Sequence, residues 1–348
     1  MKDIRTMLTL KSLVRRSVMG AALVVTAGGA VVSSQGAQAV NLTGAGATFP
    51  YPLYSKWFNV YKGSQINYQA IGSGGGINQL KAKTVDFGAS DAPLTNAELR
   101  SMPSPVVQIP MTAGAVAVIY NGLPRGLRLT GPVLADIFQG NITRWNDSKI
   151  AALNAGMRLP SRPITVARRS DGSGTTWIFT QYLKAVSPSW SRQIGAGKAV
   201  AWPVGQGGRG SDGVSALVKQ QPGSIGYVEL AYARQNNLPF AAIRNRAGAY
   251  VLPSPGGVTA AAGASAKSLQ RDIRTPIVNA AGAASYPISG FSFILVYKNQ
   301  TDKAKGRAIT QFLNWGMNAG QRYAKALDYA PLPLSVKRVN TIKLRSIR

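Results

Sequence analysis

The segment that decides the fold class is ITVARRSDGSGTTWIFTQYLKAV, residues 164–186. Its first four residues form a short β-branched run that is typical of a buried strand, and a polar, glycine-rich loop follows at once. From Thr175 onward, apolar residues recur at helical spacing and share one face: Ile178, Phe179, Tyr182, Leu183 and Val186. A strand, a glycine-rich loop and an amphipathic helix in this order predict an α/β protein.

The same alternation continues on both sides of this segment. Apolar runs at 106–109, 115–120 and 291–297 predict further buried strands, and residues 304–317 predict a second amphipathic helix. Thr95 and Glu98 have the spacing of a capping box, which predicts a helix start. The Gly/Ala-rich residues 256–284 have little periodicity, and we predict that they form a surface excursion or a weak helix.

The composition excludes most catalytic and metal chemistry. The 348 residues include no His and no Cys. Metals that favour imidazole or thiolate therefore find no ligand, and neither a Ser-His-Asp triad nor a Cys nucleophile can be built. We predict a binding protein rather than an enzyme, without a metal or a cofactor. The length and the 45% hydrophobic content suit two domains of ordinary size.

The first 39 residues have the pattern of an export signal. Basic residues come first, residues 18–32 are mostly small and apolar, and Ala37-Gln38-Ala39 fits a cleavage site. We predict a signal peptide at 1–39 that is cleaved near Ala39, and therefore a periplasmic protein. A membrane anchor is the alternative, but the apolar run is near the lower length limit for spanning a bilayer.

The net charge is strongly positive. Without residues 1–39, 35 basic and 11 acidic residues leave a formal charge of +24. Such an excess attracts polyanions. The basic residues are nevertheless spread along the chain, without the run interleaved with aromatics that strand-binding proteins use. We expect no nucleic-acid partner; a protein that binds an extracellular polyanion is an alternative favoured by the charge alone.

Three loops rich in Gly, Ser and Thr each precede a segment that can begin a helix: TGAGATFP (43–50), GSGGG (72–76) and RRSDGSGT (168–175). Glycine allows close approach of a ligand, and N–H groups at a helix N-terminus favour anions. Known nucleotide loops do not fit, since no P-loop motif occurs and Phe49 breaks the dinucleotide fingerprint. With no His in the chain, Ser173 is a hydroxyl donor and helix cap rather than a nucleophile. Together the loops predict a site for a small tetrahedral oxyanion.

Three charged residues refine this prediction. Arg169 offers a planar fork that can bind an oxyanion through two bonds, and Asp171 could hold the fork in place; an ordinary surface ion pair is the alternative. Asp91 would repel an anion unless the anion brings a proton to donate. Hydrogen phosphate carries such a proton at neutral pH and sulfate does not, and a site built around one hydrogen bond can reject the analogue lacking it by roughly 10⁴–10⁵. The alternative is that Asp91 is a turn residue before Pro93.

Six segments, taken together, resemble the periplasmic phosphate-binding proteins of the high-affinity phosphate ABC transporter, the PstS family. They occur in family order from about residue 41 to 335: LTGAGATFP (42–50), YQAIGSGGG (68–76), VDFGASDAPL (85–94), RRSDGSGT (168–175), GSIGYVE (223–229) and LDYAPL (327–332). The chain departs from the family pattern in Gly74, where a second Ser is common, and in residues 256–284. Its charge is also higher than the resemblance leads us to expect.

The resemblance implies a two-lobe α/β periplasmic-binding-protein fold, with a ligand cleft between the lobes and two hinge crossovers, near 110–115 and 286–290. Lobe one would comprise 41–112 plus 288–348, and lobe two 113–287. It implies a monomer that binds inorganic phosphate with high affinity and delivers it to the membrane permease subunits of a phosphate ABC transporter, without catalysis. A phosphate-releasing hydrolase that uses the same loops is the rival hypothesis, and it lacks a base and a metal.

The family's binding residues carry over position by position. The resemblance implies that Asp91 accepts the phosphate proton, that Arg169 makes the charged contact, and that Asp171 orients Arg169. The remaining phosphate contacts would come from backbone and hydroxyl donors of Thr48, Phe49, Ser73, Ser173, Gly174 and Thr175. No catalytic residue, metal or cofactor is implied.

Overall fold

A computed structural model of the chain describes residues 40–348. The predicted signal peptide at 1–39 lies outside the described residues. None of the helices within 40–348 combines the length and the apolar character that crossing a membrane requires.

Strands and helices alternate along most of the chain, as the repeated change from apolar runs to amphipathic segments predicts. The strands are β1 Val40–Gly46, β2 Ser64–Ala70, β3 Phe87–Ser90, β4 Val106–Tyr120, β5 Arg128–Leu129, β6 Thr165–Arg169, β7 Gln206–Gly208, β8 Ser224–Glu229, β9 Ala242–Arg244, β10 Tyr250–Val251 and β11 Ser289–Tyr297.

The helices are α1 Tyr51–Val60, α2 Ser73–Lys81, α3 Asn96–Ser101, α4 Gly131–Gln139, α5 Ser148–Leu153, α6 Gly174–Val186, α7 Pro188–Gln193, α8 Gly210–Gln220, α9 Leu230–Gln235, α10 Pro255–Ala264, α11 Ala266–Arg271, α12 Lys303–Met317 and α13 Leu334–Arg345. The α/β class is confirmed. The predicted capping box of Thr95 and Glu98 begins α3.

The main sheet has eight strands in the order β2-β1-β3-β11-β4-β8-β6-β7. The outer strands on each side are parallel, whereas β11 and β4 run antiparallel to their neighbours. Residues 106–115 of β4 pair with β11, and residues 116–120 pair with β8. The long central strand therefore changes its partner between Ala115 and Val116, next to the predicted crossover segments.

The sequence prediction divided β4 in two because Pro110 and Gly114 interrupt its apolar pattern. In the structure, β4 continues through both residues, and its register against β11 shifts between Ser292 and Phe293. Pro110 pairs with Phe293 at this irregularity. A proline lacks the N–H needed for a regular ladder, and a bulge is one of the few places where a sheet accepts it.

Residues 256–284 contain helices rather than a surface excursion, so the weak-helix alternative is the correct one. Helix α10 buries Gly257, Val258, Ala261 and Ala262, and it packs on β4 and β11. Tyr286 lies so close to Gly257 that a Cβ there would approach the Tyr286 Cβ to 2.9 Å. Small residues allow this close packing, and for the same reason they give no strong hydrophobic periodicity.

The parallel strands form two groups, β1–β3 and β6–β8, which run in opposite directions, and their carboxyl ends face each other where β4 changes its partner. β1, β2, β6 and β7 each lead through a short loop into a helix, namely α1, α2, α6 and α8, and β3 ends directly before Asp91. Loops at the carboxyl ends of parallel strands are the usual place for a ligand. The three glycine-rich loops found in the sequence are the loops after β1, β2 and β6.

Candidate anion-binding site

The loop after β1 carries Thr48 and Phe49, and both are buried. The Thr48 Oγ lies 3.1 Å from the Ser211 Oγ and accepts a hydrogen bond from the Ser211 N–H at 3.3 Å. The carbonyl oxygens are bound by two tyrosine hydroxyls: Tyr232 donates to Thr48 at 2.7 Å and Tyr329 donates to Phe49 at 2.6 Å. These bonds fix the backbone of the loop.

The loop after β2 positions Ser73 at the first residue of α2. Gly72 precedes it with a φ of +88°, and a Cβ at Gly72 would come within 2.1 Å of the Asp171 Oδ2, so only glycine fits. The Ser73 Oγ accepts the N–H of Asp91 at 3.2 Å and the N–H of Gly174 at 3.0 Å. A hydroxyl has two lone pairs and one proton. Since both lone pairs are occupied, the Ser73 proton remains to be donated, either to the Asp91 carboxylate, whose pKa this hydrogen bond lowers, or to an anionic oxygen of a ligand.

Asp91 follows β3 and is 1% exposed. Its Oδ1 accepts a hydrogen bond from the Ser292 Oγ at 2.7 Å. Burial raises the pKa of Asp91 to about 7. The hydrogen bond from Ser292, the positive charge of Arg169 and the hydrogen bond from Ser73 oppose this rise. Asp91 can therefore gain or lose a proton near neutral pH, which a surface turn residue would not do.

Arg169 ends β6 and is 3% exposed. Its Nε lies 2.7 Å from the Asp171 Oδ1 and its Nη2 lies 2.5 Å from the Oδ2, which is a two-bond fork. The Nη1 lies 3.4 Å from the Thr175 Oγ1. The pair is buried, with side-chain exposures of 2% and 13%, so the description as a surface ion pair is wrong.

Asp171 is itself held in place. Its Oδ1 also accepts the N–H of Gly210 at 3.1 Å. Burial alone would raise the pKa of Asp171, but the hydrogen bonds and charge of Arg169 lower it below its ordinary value. The carboxylate stays ionised, and it keeps the guanidinium in one orientation.

The N-terminus of α6 supplies the last group of predicted residues. The Ser173 Oγ accepts the N–H of Thr176 at 3.0 Å, so Ser173 is the helix cap that the sequence predicts. The Ser173 N–H donates to the Lys198 carbonyl at 2.8 Å. Gly174 donates its N–H to Ser73, and Thr175 lies in the first turn, where N–H groups have no acceptor within the helix.

The structure thus places all eight predicted binding residues and Asp171 in loops at the facing carboxyl ends of the two strand groups. Hydrogen bonds link Ser73 to Asp91 and Gly174, and Arg169 to Asp171 and Thr175. One ionisable carboxyl group, one oriented guanidinium and several hydroxyl and N–H donors converge there. Residues 40–348 contain no group of three His, Cys, Asp or Glu side chains placed to hold a metal ion. The arrangement suits an oxyanion that can also donate a proton.

Sequence reasoning missed four residues that shape this site: Gly210, Ser211, Tyr227 and Ser292. Tyr227 accepts the Arg169 N–H at 3.2 Å and its hydroxyl lies 2.7 Å from the Thr176 Oγ1. Gly210 and Ser211 belong to GQGGRGSDG, residues 205–213, which is a fourth glycine-rich segment before a helix and has the same pattern as the three loops that were recognised. A single Ser within the apolar strand FSFILVY, residues 291–297, was the available signal for Ser292.

A comparison with family models matches residues 32–319 to the PBP superfamily domain. Among curated proteins, the chain is 46% identical over 307 residues to the phosphate-binding protein PstS of Xylella fastidiosa strain 9a5c, a match that covers 86% of this chain and 84% of the relative. It is 44% identical over 313 residues to the phosphate-binding protein PstS of Haemophilus influenzae, covering 88% and 92%.

Solved structures show the same fold at lower identity. A high-affinity periplasmic phosphate-binding protein, PfluDING, solved with bound phosphate, has a TM-score of 0.69 at 22% identity, covering 88% of this chain and 99% of the other. A phosphate-binding protein from Stenotrophomonas maltophilia has a TM-score of 0.66 at 20% identity, covering 87% and 94%.

Proposed function

Because the chain belongs to the PBP superfamily and, within it, to the PstS family of phosphate-binding proteins, we propose that it binds inorganic phosphate with high affinity in the periplasm and delivers it to the permease of an ABC transporter. Its relatives are named as binding proteins, and we extend this to the present chain, which we propose is not an enzyme.

The observation that carries the proposal is the pairing of Asp91 with Arg169 in one buried site. The guanidinium of Arg169 donates from Nε and Nη2 to Asp171, which orients it, and its remaining N–H groups can attract and donate to an oxyanion. A carboxylate in the same site would repel that oxyanion, unless the two share a hydrogen bond. Hydrogen phosphate supplies the proton for this bond and sulfate cannot, so the two charges of opposite sign together select phosphate.

We assign the phosphate contacts as follows. Asp91 accepts the phosphate proton, and the guanidinium of Arg169 binds a second oxygen. The Ser73 hydroxyl has its proton to donate because two N–H groups occupy its lone pairs. Further donors come from the hydroxyl or backbone N–H groups of the other residues in the site: Thr48, Phe49, Ser173, Gly174 and Thr175.

We further propose that residues 41–112 plus 288–348 and residues 113–287 form two lobes that open to release phosphate. The partner change of β4 supports the division, because residues 106–115 pair with β11 and residues 116–120 pair with β8. Two hydrogen bonds join the two parts: Gly74 N–H to Gly172 O at 2.8 Å, and Gly174 N–H to Ser73 Oγ at 3.0 Å. An ion pair of Glu98 and Lys198 at 2.5 Å also joins them. Opening would break these contacts, while the partner change in β4 supplies the pivot.

Calorimetric titration with phosphate and then with sulfate tests the proposal, after bound phosphate has been removed. The wild type should bind phosphate one to one and ignore sulfate. Asp91→Asn keeps the shape of the side chain but offers an amide donor to sulfate, so the ratio of phosphate to sulfate affinity should fall by at least about 100-fold. Asp86→Asn is the control of equal charge change, because Asp86 binds Thr43 and Lys305 away from the site.

Wild-type protein that binds neither anion would refute the proposed function. Phosphate binding with unchanged selectivity in Asp91→Asn would leave a phosphate receptor but would refute the role of Asp91.

A further inference from the structure

Helix α13 has two opposite faces of very different character. Val336, Asn340 and Leu344, spaced four residues apart, are buried. The amide of Asn340 donates to the Pro110 carbonyl at 2.6 Å and attaches this face to β4. The opposite face presents Leu334 and Ile342, which are 74% and 70% exposed, together with the exposed residues Arg338 and Arg345.

Two aliphatic side chains that are at least 70% exposed on one helix face are unusual among the described residues. Within residues 40–348, the large apolar side chains that are exposed are Tyr51, Leu252, Leu334 and Ile342. Tyr51 and Leu252 are less exposed, at 36% and 52%. The two most exposed ones lie two helical turns apart on α13, with Arg338 between them. Isolated exposed leucines need no explanation, but an aligned pair with cations suggests a binding surface.

The surroundings of this face are basic. Residues 329–348 include five Lys and Arg residues and no Asp or Glu. Helix α11, which packs beside α13, adds the exposed Lys267 and Arg271. On the other side, Lys303 and Arg307 of α12 line a surface cavity of about 390 Å³ together with Ile347 and Arg348.

Two carboxylates lie near this charge: Asp272, which is close enough to Lys343 for each to affect the pKa of the other, and Asp302. Asp272 is paired with Arg274 at 2.7 Å. Asp302 accepts the N–H groups of Ala304 and Lys305 at the start of α12. Within the part of the chain that the structure describes, no basic residue of α13 takes part in an ion pair. The face therefore keeps its positive charge.

We propose that the outer face of α13 binds the surface of an anionic phospholipid membrane, with Leu334 and Ile342 at the level of the headgroups and the flanking Lys and Arg residues on the lipid phosphates. A helix with an apolar stripe and cationic flanks is the usual form of an interfacial membrane-binding helix. Nucleic acid would use the charge but not the two aliphatic side chains. With only two such side chains the binding is weak and reversible, and it does not require phosphate in the cleft.

Sedimentation with vesicles tests this proposal. The full chain, recovered after export, is mixed with vesicles of equal parts phosphatidylcholine and phosphatidylglycerol, and separately with vesicles of phosphatidylcholine alone. Binding to the anionic vesicles should exceed binding to the neutral ones. Arg338→Gln with Arg345→Gln should weaken binding to the anionic vesicles by about 30-fold, since each cation near such a surface contributes about one factor of five. Leu334→Ser with Ile342→Ser should weaken it by about 10-fold.

Matched controls lie elsewhere on the surface. Leu252→Ser removes an exposed leucine away from α13, and Arg125→Gln with Arg158→Gln removes two exposed positive charges. These controls should change vesicle binding by less than about twofold. All variants should keep wild-type phosphate affinity, which shows that they are folded.

Equal effects of the α13 variants and the controls would refute the proposal, since binding would then depend on net charge alone. Absence of binding to anionic vesicles would refute it as well. DNA binding that is lost with the arginines but kept with Leu334→Ser and Ile342→Ser, without vesicle binding, would indicate a polyanion surface instead. Self-association that these serine substitutions abolish would indicate a second copy of the chain.

Discussion

Replacing Ser292 by Ala should make phosphate affinity depend more steeply on pH. Ser292 donates its hydroxyl proton to the Asp91 Oδ1 at 2.7 Å in a buried setting. A hydrogen bond to a charged group contributes about 1.5–3 kcal/mol, and 1.36 kcal/mol corresponds to a tenfold change in proton affinity. Loss of this bond should therefore raise the proton affinity of Asp91 about 10–100-fold and move its pKa upward.

The consequence for binding follows from the proton balance. Burial already raises the pKa of Asp91 to about 7, so some of the carboxyl groups carry a proton at neutral pH. Asp91 must be ionised to accept the phosphate proton, and in Ser292→Ala a bound proton must be released first. At pH 7 the variant should bind phosphate about 5–50-fold more weakly. The difference should be largest near pH 6 and should shrink toward zero above pH 9, where Asp91 is ionised in both proteins.

Titration calorimetry of both proteins between pH 6 and pH 9 measures this difference. The pH dependence that comes from the ionisation of phosphate itself cancels in the ratio of the two dissociation constants, because both proteins bind the same ligand. Ser224→Ala is a matched control: its buried hydroxyl donates to the Gln221 carbonyl at 2.6 Å, away from the site, and its ratio should stay near one. A ratio for Ser292→Ala that does not change with pH would refute the reasoning, since the hydroxyl would then act on something other than the ionisation of Asp91.

Three further substitutions test packing and buried ionisation in the protein. Gly174→Ala would place a Cβ 2.5 Å from the Asp91 Oδ2, so it should weaken phosphate binding by about 10–100-fold in calorimetry. Gly263→Ala, which meets open space in α10, should instead raise stability by about 0.5–1 kcal/mol with unchanged affinity. Burial raises the pKa of Glu229 well above its ordinary 4.5. The contribution of this group to the free energy of unfolding should therefore fall as the pH rises, by about 1.4 kcal/mol per pH unit between its unfolded and folded pKa values. Glu229→Gln should lack this fall in urea unfolding at pH 5 and pH 8; parallel behaviour of the two proteins would contradict the assignment.

The sequence was sufficient for the fold class and for the loops of the site, for a physical reason. Strand, loop and helix signals are local, so the run at 164–167 and the helical face that begins at Ile178 each predict one element without knowledge of the rest. Glycine-rich loops before helices are local as well. The helix cap at Ser173 could be predicted because its partner, Thr176, is three residues away.

Contacts between distant parts of the chain could not be predicted from the same patterns. Ser292 is 201 residues from Asp91, and Ser211 is 163 residues from Thr48. Which strand lies next to β3 depends on the complete sheet order, in which β11 comes between β3 and β4. No periodicity in residues 291–297 indicates that Ser292 faces Asp91 across that pairing. Only the family resemblance assigned roles across such distances, and it assigned them only to residues that lie within the matching motifs.

The two buried carboxyl groups within residues 40–348 show why burial alone does not make a selective site. Asp91 and Glu229 are each at most 1% exposed, and burial is the largest effect on both pKa values. At Asp91, the Ser292 hydroxyl and the charge of Arg169 oppose burial, so the pKa remains near neutrality and the group can exchange a proton with a ligand. Glu229 has the Ala231 N–H as a partner for its Oε2, and the negative charge of Asp328 acts in the same direction as burial. Burial therefore holds the pKa of Glu229 well above its ordinary value. The donors around Asp91, rather than its burial, are what allow it to distinguish an anion that carries a proton from one that does not.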